Sequence, residues 1–253
     1  MFLAIDIGNT TISLAILKNG KVIQVWLLDT VHETKALRQR LTAQLNSIQR
    51  KFPGLKEAQI CSVVPKVLGV IKLILKNKLK MSVSVVGEDI LVPMVNRYRN
   101  PRQVGQDRLV GAYAARKIYG TPVVVVDLGT AITLDVVSKK GEYLGGAILP
   151  GIRLSAESLF AKTALLPKIK IKGPTAIIGR TTQESMLSGI FFGYGALCRG
   201  MIEQIAGELK GKPRVVLTGG HAQLMKKYMG PGVRYVDEHL VFKGLELLLV
   251  FSK

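Results

Sequence analysis

Two short stretches carry an aspartate, a glycine two residues later and then a small polar residue: Asp6-Ile7-Gly8-Asn9-Thr10 and Asp127-Leu128-Gly129-Thr130. Glycine at the tip of a tight turn lets backbone N–H groups come close to an anion. In the first copy the hydroxyls of Thr10, Thr11 and Ser13 add donors suited to phosphate oxygens. A carboxylate just before such a turn repels phosphate, so it calls for a cation. Mg²⁺ takes one or two carboxylates and completes its shell with phosphate oxygens and water. The pair therefore points to a metal-bound triphosphate, with Asp6 and Asp127 facing it from the two halves of the chain. One such turn alone is also an ordinary hairpin; two in matching context are not. No GxxxxGK[ST] loop, no GxGxxG fingerprint and no protein-kinase HRD or DFG set is present, so the duplicated hairpins must do the gripping.

A third carboxylate has a different setting. Asp107 follows Pro101 and Gly105 and opens a helical run with Leu109, Val110, Tyr113 and Ala114 on its apolar side. An aspartate within reach of a substrate hydroxyl accepts its proton during attack on a γ-phosphate. An acidic residue in a first helical turn also favours the helix dipole with no other duty, and local sequence leaves both readings open. Arg108 beside it offers a bidentate partner for a carboxylate or a solvated surface charge.

The elements that must position these residues repeat. Residues 5–20 and 126–141 each give a β-rich run ending in Asp-x-Gly, an alternating second strand and a turn glycine; an apolar third run follows, Lys21–Leu28 and Glu142–Leu149. In the first half Thr30-x-x-Glu33 reads as a capping box opening a helix with Leu37, Leu41, Leu45 and Ile48 on one face. Phe52-Pro53-Gly54 ends it. A strand at Gln59–Val64, a helix at Lys66–Leu79 and a strand at Ser82–Val86 follow. The second half gives a long helix over Thr182–Leu209, a strand at Arg214–Leu217, a helix after Thr218-Gly219-Gly220 and a helical C-terminal stretch, Glu238–Val250. Asp135 reads as a residue that could face the ligand. The predicted fold is α/β: duplicated actin-like ATPase (ribonuclease H-like) domains, 1–118 and 119–253, with a nucleotide cleft between them.

Composition bounds the alternatives. The chain has 253 residues, 48% hydrophobic and 21% charged, ample for a buried core. Asp6 interrupts the apolar start and no basic stretch precedes it, so no signal peptide is expected, and the apolar run Leu240–Phe251 is too short to span a bilayer. Cys61 and Cys198 lie far apart in apolar contexts and suggest buried, reduced thiols; His32, His221 and His239 are isolated and read as non-catalytic, and Glu157 and Glu184 as surface charges. The formal charge of +19 comes from 36 Lys and Arg spread along the chain. Without an RNP-type aromatic pattern, zinc finger or basic region, it implies attraction of anions, phosphate-bearing ligands included, and not a nucleic-acid partner.

The chain resembles the type III pantothenate kinases along essentially its whole length. The matching stretches are Asp6–Thr10, Ser62-Val-Val-Pro65, Tyr98-Arg-Asn-Pro101 with Gly105-Gln-Asp-Arg108, Asp127–Ala131 with Thr133 and Asp135, Gly145-Gly-Ala-Ile-Leu-Pro-Gly151, Gly179-Arg-Thr-Thr182 with Gly189, and Thr218–Gly220. The resemblance implies phosphorylation of pantothenate by ATP with Mg²⁺, the first step of coenzyme A synthesis. It implies that Asp6, Ile7, Gly8, Asn9, Thr10, Thr11, Ile12, Ser13 and Thr130 bind ATP, with Asp6 also toward Mg²⁺. It further implies that Asp127 holds a monovalent cation (K⁺ or NH₄⁺), that Tyr98, Gly105, Gln106, Asp107, Arg108 and Thr182 bind pantothenate, and that Asp107 is the catalytic base. A cytoplasmic homodimer is implied too, with no nucleic-acid or membrane partner; a partner-completed pocket would account for exposed apolar stretches such as Ile190–Tyr194. Ser13 stands where some family members carry lysine. Another actin-like small-molecule kinase and a non-catalytic regulatory descendant are the competing readings. The first would not need Tyr98, Asp107 and Arg108, and the second would not need Asp107 or intact turns.

Overall fold

The computed structural model describes residues 1–30 and 34–251. In chain order the first half gives strands β1 (Phe2–Ile7), β2 (Thr11–Lys18) and β3 (Lys21–Asp29), helix α1 (Thr34–Lys51), strand β4 (Glu57–Ser62), helix α2 (Pro65–Leu73), strand β5 (Ser82–Val85) and helix α3 (Gln106–Tyr119). The second half gives β6 (Val123–Leu128), β7 (Ala131–Val137), β8 (Tyr143–Pro150), α4 (Ile152–Lys162), α5 (Thr182–Glu208), β9 (Arg214–Thr218), α6 (Ala222–Lys226), β10 (Tyr235–Val236) and α7 (Leu240–Leu248). The chain packs as two units. One comprises Met1–Pro93, Asn100–Ala114 and His239–Lys253, the other Met94–Arg99 and Ala115–Glu238.

The repeat read from the sequence recurs in the hydrogen bonding. The sheet of the first unit runs β3-β2-β1-β4-β5, and that of the second, read from its other edge, runs β8-β7-β6-β9-β10. Within each, the first three strands are antiparallel neighbours and the remaining pairs are parallel. β1 and β6 share one burial sequence, buried throughout except at the aspartate. Asp6 pairs with Ser13 across β1–β2 and Asp127 with Thr133 across β6–β7, so Ser13 and Thr133 are counterparts. Both second strands break register at the same place, Ile16/Leu17 and Val136/Val137.

Alternation does the packing. In the first unit Leu3, Ile5, Ile7, Ile12, Leu14 and Ile16 point to one sheet face and meet Leu37, Leu41, Leu45 and Ile48 of α1 and Val67 and Ile71 of α2. Each fully buried aliphatic side chain contributes roughly 1.5–3 kcal/mol. Helix α7 closes on the same unit although it follows the whole second sheet in sequence. Leu240, Phe242, Leu245 and Leu248 are buried, and Glu246 Oε1 accepts the Gly20 N–H at 2.7 Å. In the second unit the Val-rich β6, a central strand antiparallel to β7 and parallel to β9 and buried on both faces, sits over Leu187, Ile190 and Phe191 of α5 and Ile152 of α4.

Several expectations change. Strand β4 ends at Ser62, two residues before the expected end, because Ser62 Oγ accepts the Val64 N–H at 3.1 Å and turns the chain into Pro65 and α2. The helical reading Lys66–Leu79 continues past α2 as a π-turn over Ile74–Lys78. Helix α4 is additional to the sequence reading. The Ile190–Tyr194 stretch is not an exposed apolar segment: Ile190 and Phe191 are core residues of α5. Asp135 is buried, not open to a ligand. Glu33 of the expected capping box, and His32, lie outside the described residues; Thr30 donates its hydroxyl to the Gly8 carbonyl at 2.8 Å.

Candidate active site

In the first unit the Asp6 turn is tied from two sides. Gly8 N–H donates to the Thr11 carbonyl at 3.0 Å, and Thr30 N–H to the Thr10 carbonyl at 2.8 Å. With the Thr30 hydroxyl bond to Gly8, three hydrogen bonds shape the loop and leave Asn9 and Thr10 exposed at its tip. Asp6 itself is half-buried at the end of β1, with Ser13 beside it on β2 and Cys61 beside it on β4. Burial pushes the Cys61 thiol well above its ordinary pKa, and the charges of Asp6 and then Asp107 push it further. Geometry brings the Asp107 turn to the end of β1: Val63 N–H donates to the Ile7 carbonyl at 3.0 Å, and Gly105 lies against both Val63 and Asp107 Oδ1. A pair of neighbouring carboxylates disfavours anions and welcomes a cation or a proton.

Asp107 lies in the first turn of α3 and accepts the Arg108 N–H on Oδ1 at 2.8 Å. The helix start thus fixes the carboxylate. Gly105, Gln106, Asp107 and Arg108 are all half-buried, in contrast to the exposed Pro101–Gln103 turn before them. A carboxylate held in this way can accept a hydroxyl proton.

The second unit repeats the turn with its own locks. Gly129 N–H donates to Ala131 and Gly151 N–H to the Thr130 carbonyl, both at 3.1 Å, the counterpart of the Thr30–Thr10 bond. His221 N–H donates to the Leu128 carbonyl at 3.2 Å, which draws the Thr218–His221 turn against Asp127. Gly219 has φ +86° and lies against Asp127 Oδ1, where no side chain fits. Burial pushes the His221 imidazole below its ordinary pKa; a backbone bond to Leu128 opposes this and Arg153 adds to it. Among the described residues no group of three or more His, Cys, Asp and Glu is arranged to hold a metal. One or two carboxylates completed by nucleotide phosphates is the arrangement Mg²⁺ accepts, and Asp6 and its turn fit that donor set.

Tyr98 belongs to the segment Met94–Arg99 of this unit. Its N–H donates to Asn96 Oδ1 at 3.0 Å, and its ring lies over Gly145, where a Cβ would come within 3.1 Å of it. Thr182 is exposed and opens α5; Thr181 is the cap, its hydroxyl accepting the Glu184 N–H at 3.2 Å while Glu184 Oε2 accepts the Arg180 N–H at 2.8 Å. Glu184 is exposed, as expected of a helix-surface charge, and it also caps the helix. The T-x-x-E spacing was its signal. The Gly219 contact with Asp127 had no local signal beyond the Gly-Gly pair.

The type III pantothenate kinase family model matches residues 2–204. A type III pantothenate kinase of Persephonella marina is 46% identical over 249 residues, covering 97% of this chain and 96% of its own. Among solved structures, one described as a conserved Baf family transcriptional activator from Campylobacter jejuni has a TM-score of 0.64 at 22% identity, covering 99% of this chain and 98% of that one. Another, described as a 2-dehydro-3-deoxygalactonokinase protein from Sinorhizobium meliloti, has a TM-score of 0.54 at 14% identity, covering 98% of each. At these identities the structures speak to the fold, which is the duplicated actin-like one.

Proposed function

The chain belongs to the type III pantothenate kinase family, and we propose that Asp107 is the base of that family's reaction. The protein transfers the γ-phosphoryl group of ATP to pantothenate and forms 4'-phosphopantothenate, the first step of coenzyme A synthesis. The observation that carries the role of Asp107 is its carboxylate in the first turn of α3, bonded to the Arg108 N–H and set against Gly105 and Val63 next to the end of β1.

The primary hydroxyl of pantothenate attacks the γ-phosphorus while its proton passes to the Asp107 carboxylate; the bond to the β-bridging oxygen breaks and ADP leaves. Residues 6–13 bind the phosphates through the turn amides and the hydroxyls of Thr10, Thr11 and Ser13, and Thr130 contributes a second contact to the nucleotide. A divalent cation bound with ATP neutralises phosphate charge, and Asp6 would hold it. Asp127 would hold K⁺ or NH₄⁺, a reading supported by the cramped Gly219 turn beside its carboxylate. Tyr98, Gly105, Gln106, Arg108 and Thr182 bind pantothenate, Arg108 pairing with its carboxylate.

Strands β1–β5 and β6–β10 are two copies of one repeat, a reading supported by the matching strand orders and register breaks; the packed units depart from the expected halves 1–118 and 119–253, because Met94–Arg99 joins the second unit and His239–Lys253 the first. We take the protein to act as a homodimer. Support comes from β8, an edge strand that exposes Leu144 and Ile148, since an exposed apolar edge needs a cover. Its place is the cytoplasm, where ATP is available; among the described residues no helix is long and apolar enough to cross a membrane.

The test is phosphoryl transfer from ATP to pantothenate with Mg²⁺, with and without K⁺. Turnover that requires K⁺ supports the substrate and the cation site together. Turnover indifferent to K⁺ removes the role given to Asp127. No turnover by folded, ATP-binding protein would move the assignment to another acceptor.

A further inference from the structure

The two copies differ at one buried position in a way that space-filling does not explain. Two residues beyond Ser13 on the same face of β2 stands Ala15, fully buried; two residues beyond its counterpart Thr133 on β7 stands Asp135, also buried. Taking a carboxylate out of water is costly unless donors replace the water. Here two hydroxyls do: Tyr143 donates to Oδ1 at 2.7 Å and Thr133 to Oδ2 at 2.8 Å. Tyr143 stands where the first copy has Val22, opposite the same register break. Of that triad the first copy keeps only the hydroxyl, at Ser13; Ala15 and Val22 are apolar, so the carboxylate and its phenol belong to the second copy alone.

Each arm of that triad leads to a residue already given a role. Thr133 pairs with Asp127 across β6–β7. With its proton committed to Asp135, the Thr133 hydroxyl presents lone pairs on the face that it shares with the Asp127 carboxylate. Tyr143 is the anchor of the segment that carries Tyr98: Tyr143 N–H donates to the Val95 carbonyl and Arg97 N–H to the Tyr143 carbonyl, both at 2.8 Å. The Arg97 guanidinium also pairs with Glu142 at 2.6 Å, and the Tyr98 ring rests on Gly145 two residues along β8.

We propose that Asp135 is a positioning residue for pantothenate recognition: through Tyr143 it fixes the 94–99 segment, and with it Tyr98, against β8, while through Thr133 it orients a hydroxyl beside Asp127. Its carboxylate touches no substrate. The consequence for pantothenate rests on the assignment of Tyr98 above; the clamp on the segment does not.

The test uses the full chain and the variants Tyr143→Phe and Asp135→Asn. For Tyr143→Phe the pantothenate KM rises about fivefold with the ATP KM unchanged, and amide exchange at Arg97 and Tyr98 accelerates in the unliganded protein. Asp135→Asn shows the same split, about tenfold, and also weakens activation by K⁺. A general loss of stability alone would lower the active fraction without this split. If Asp135→Asn fails to fold, Tyr143→Phe decides. Unchanged exchange at Arg97 together with an unchanged pantothenate KM would overturn the proposal. Accelerated exchange with an unchanged KM supports the clamp and removes Tyr98 from the substrate contacts, which Tyr98→Ala checks directly.

Discussion

Oδ1 of Asp127 occupies the space in which a side chain on Gly219 would begin. Gly219 also has φ +86°, a left-handed backbone that strains any residue with a Cβ by about 1–3 kcal/mol. Gly219→Ala must therefore displace either the turn or the carboxylate. We expect a lower melting temperature together with a raised half-saturation for K⁺ in the transfer assay. Lost stability with an unchanged K⁺ response would separate Asp127 from cation binding.

Asp107→Asn keeps the shape of the side chain and removes its basicity. Turnover should fall by about 10²–10⁴-fold, the usual weight of a general base, with circular dichroism and ATP binding unchanged. Near-normal kcat would leave Asp107 as a first-turn helix charge and nothing more.

Gly145 carries the Tyr98 ring and has φ +112°. A methyl group there would meet the ring at 3.1 Å and must shift it by a few tenths of an ångström, on a backbone that already disfavours a side chain. Gly145→Ala should raise the pantothenate KM more than the ATP KM; equal changes in the two would mean that the ring's place on β8 is irrelevant to the acceptor.

Gln59 is fully buried on β4, and neither its amide nitrogen nor its amide oxygen has a hydrogen-bond partner among the described residues. An unsatisfied buried amide costs about 1–3 kcal/mol. Gln59→Met, close in volume and apolar, should raise the urea midpoint. A drop in the midpoint would show that the amide is satisfied in solution by bound water.

Burial pushes the Cys198 thiol up to about 11 from its ordinary 9.0. Below pH 9 both folded and unfolded chains hold this proton. Between about 9 and 11 the unfolded chain releases it and the folded chain does not, so the unfolded state binds fewer protons and stability falls as pH rises. The urea midpoint of the wild type should decline across that window more steeply than that of Cys198→Ala. Parallel declines would assign the alkaline loss elsewhere, for instance to Tyr119, whose hydroxyl is pushed up by burial and by its bond to Asp237.

What the sequence disclosed was what strands and turns write locally. Alternation in Ile12–Leu17 and the Asp-x-Gly pairs revealed both hairpins, because period and turn chemistry act within a few residues. Helix α4 was missed because it buries only Ile152 and Ala156, too thin a stripe to show a period. The burial of Asp135 was equally hidden. Its donor Tyr143 lies eight residues away across a register break, and only the folded sheet brings the two together. The Ile190–Tyr194 run was misread for the converse reason: an apolar stretch looks the same in sequence whether its own unit or a partner covers it.

Because α7 completes the first unit yet is translated after the whole of the second, the ribosome releases the two domains out of their apparent order. The first sheet is synthesised early but lacks the side chains that cover part of β1 and β4 until residues 240–248 emerge. Domains tend to fold as units; here the first unit draws on a segment that lies beyond the whole of the second in sequence. The unit that carries Asp6 and Asp107 is thus discontinuous in sequence, and no single cut in the chain separates the two units with both complete.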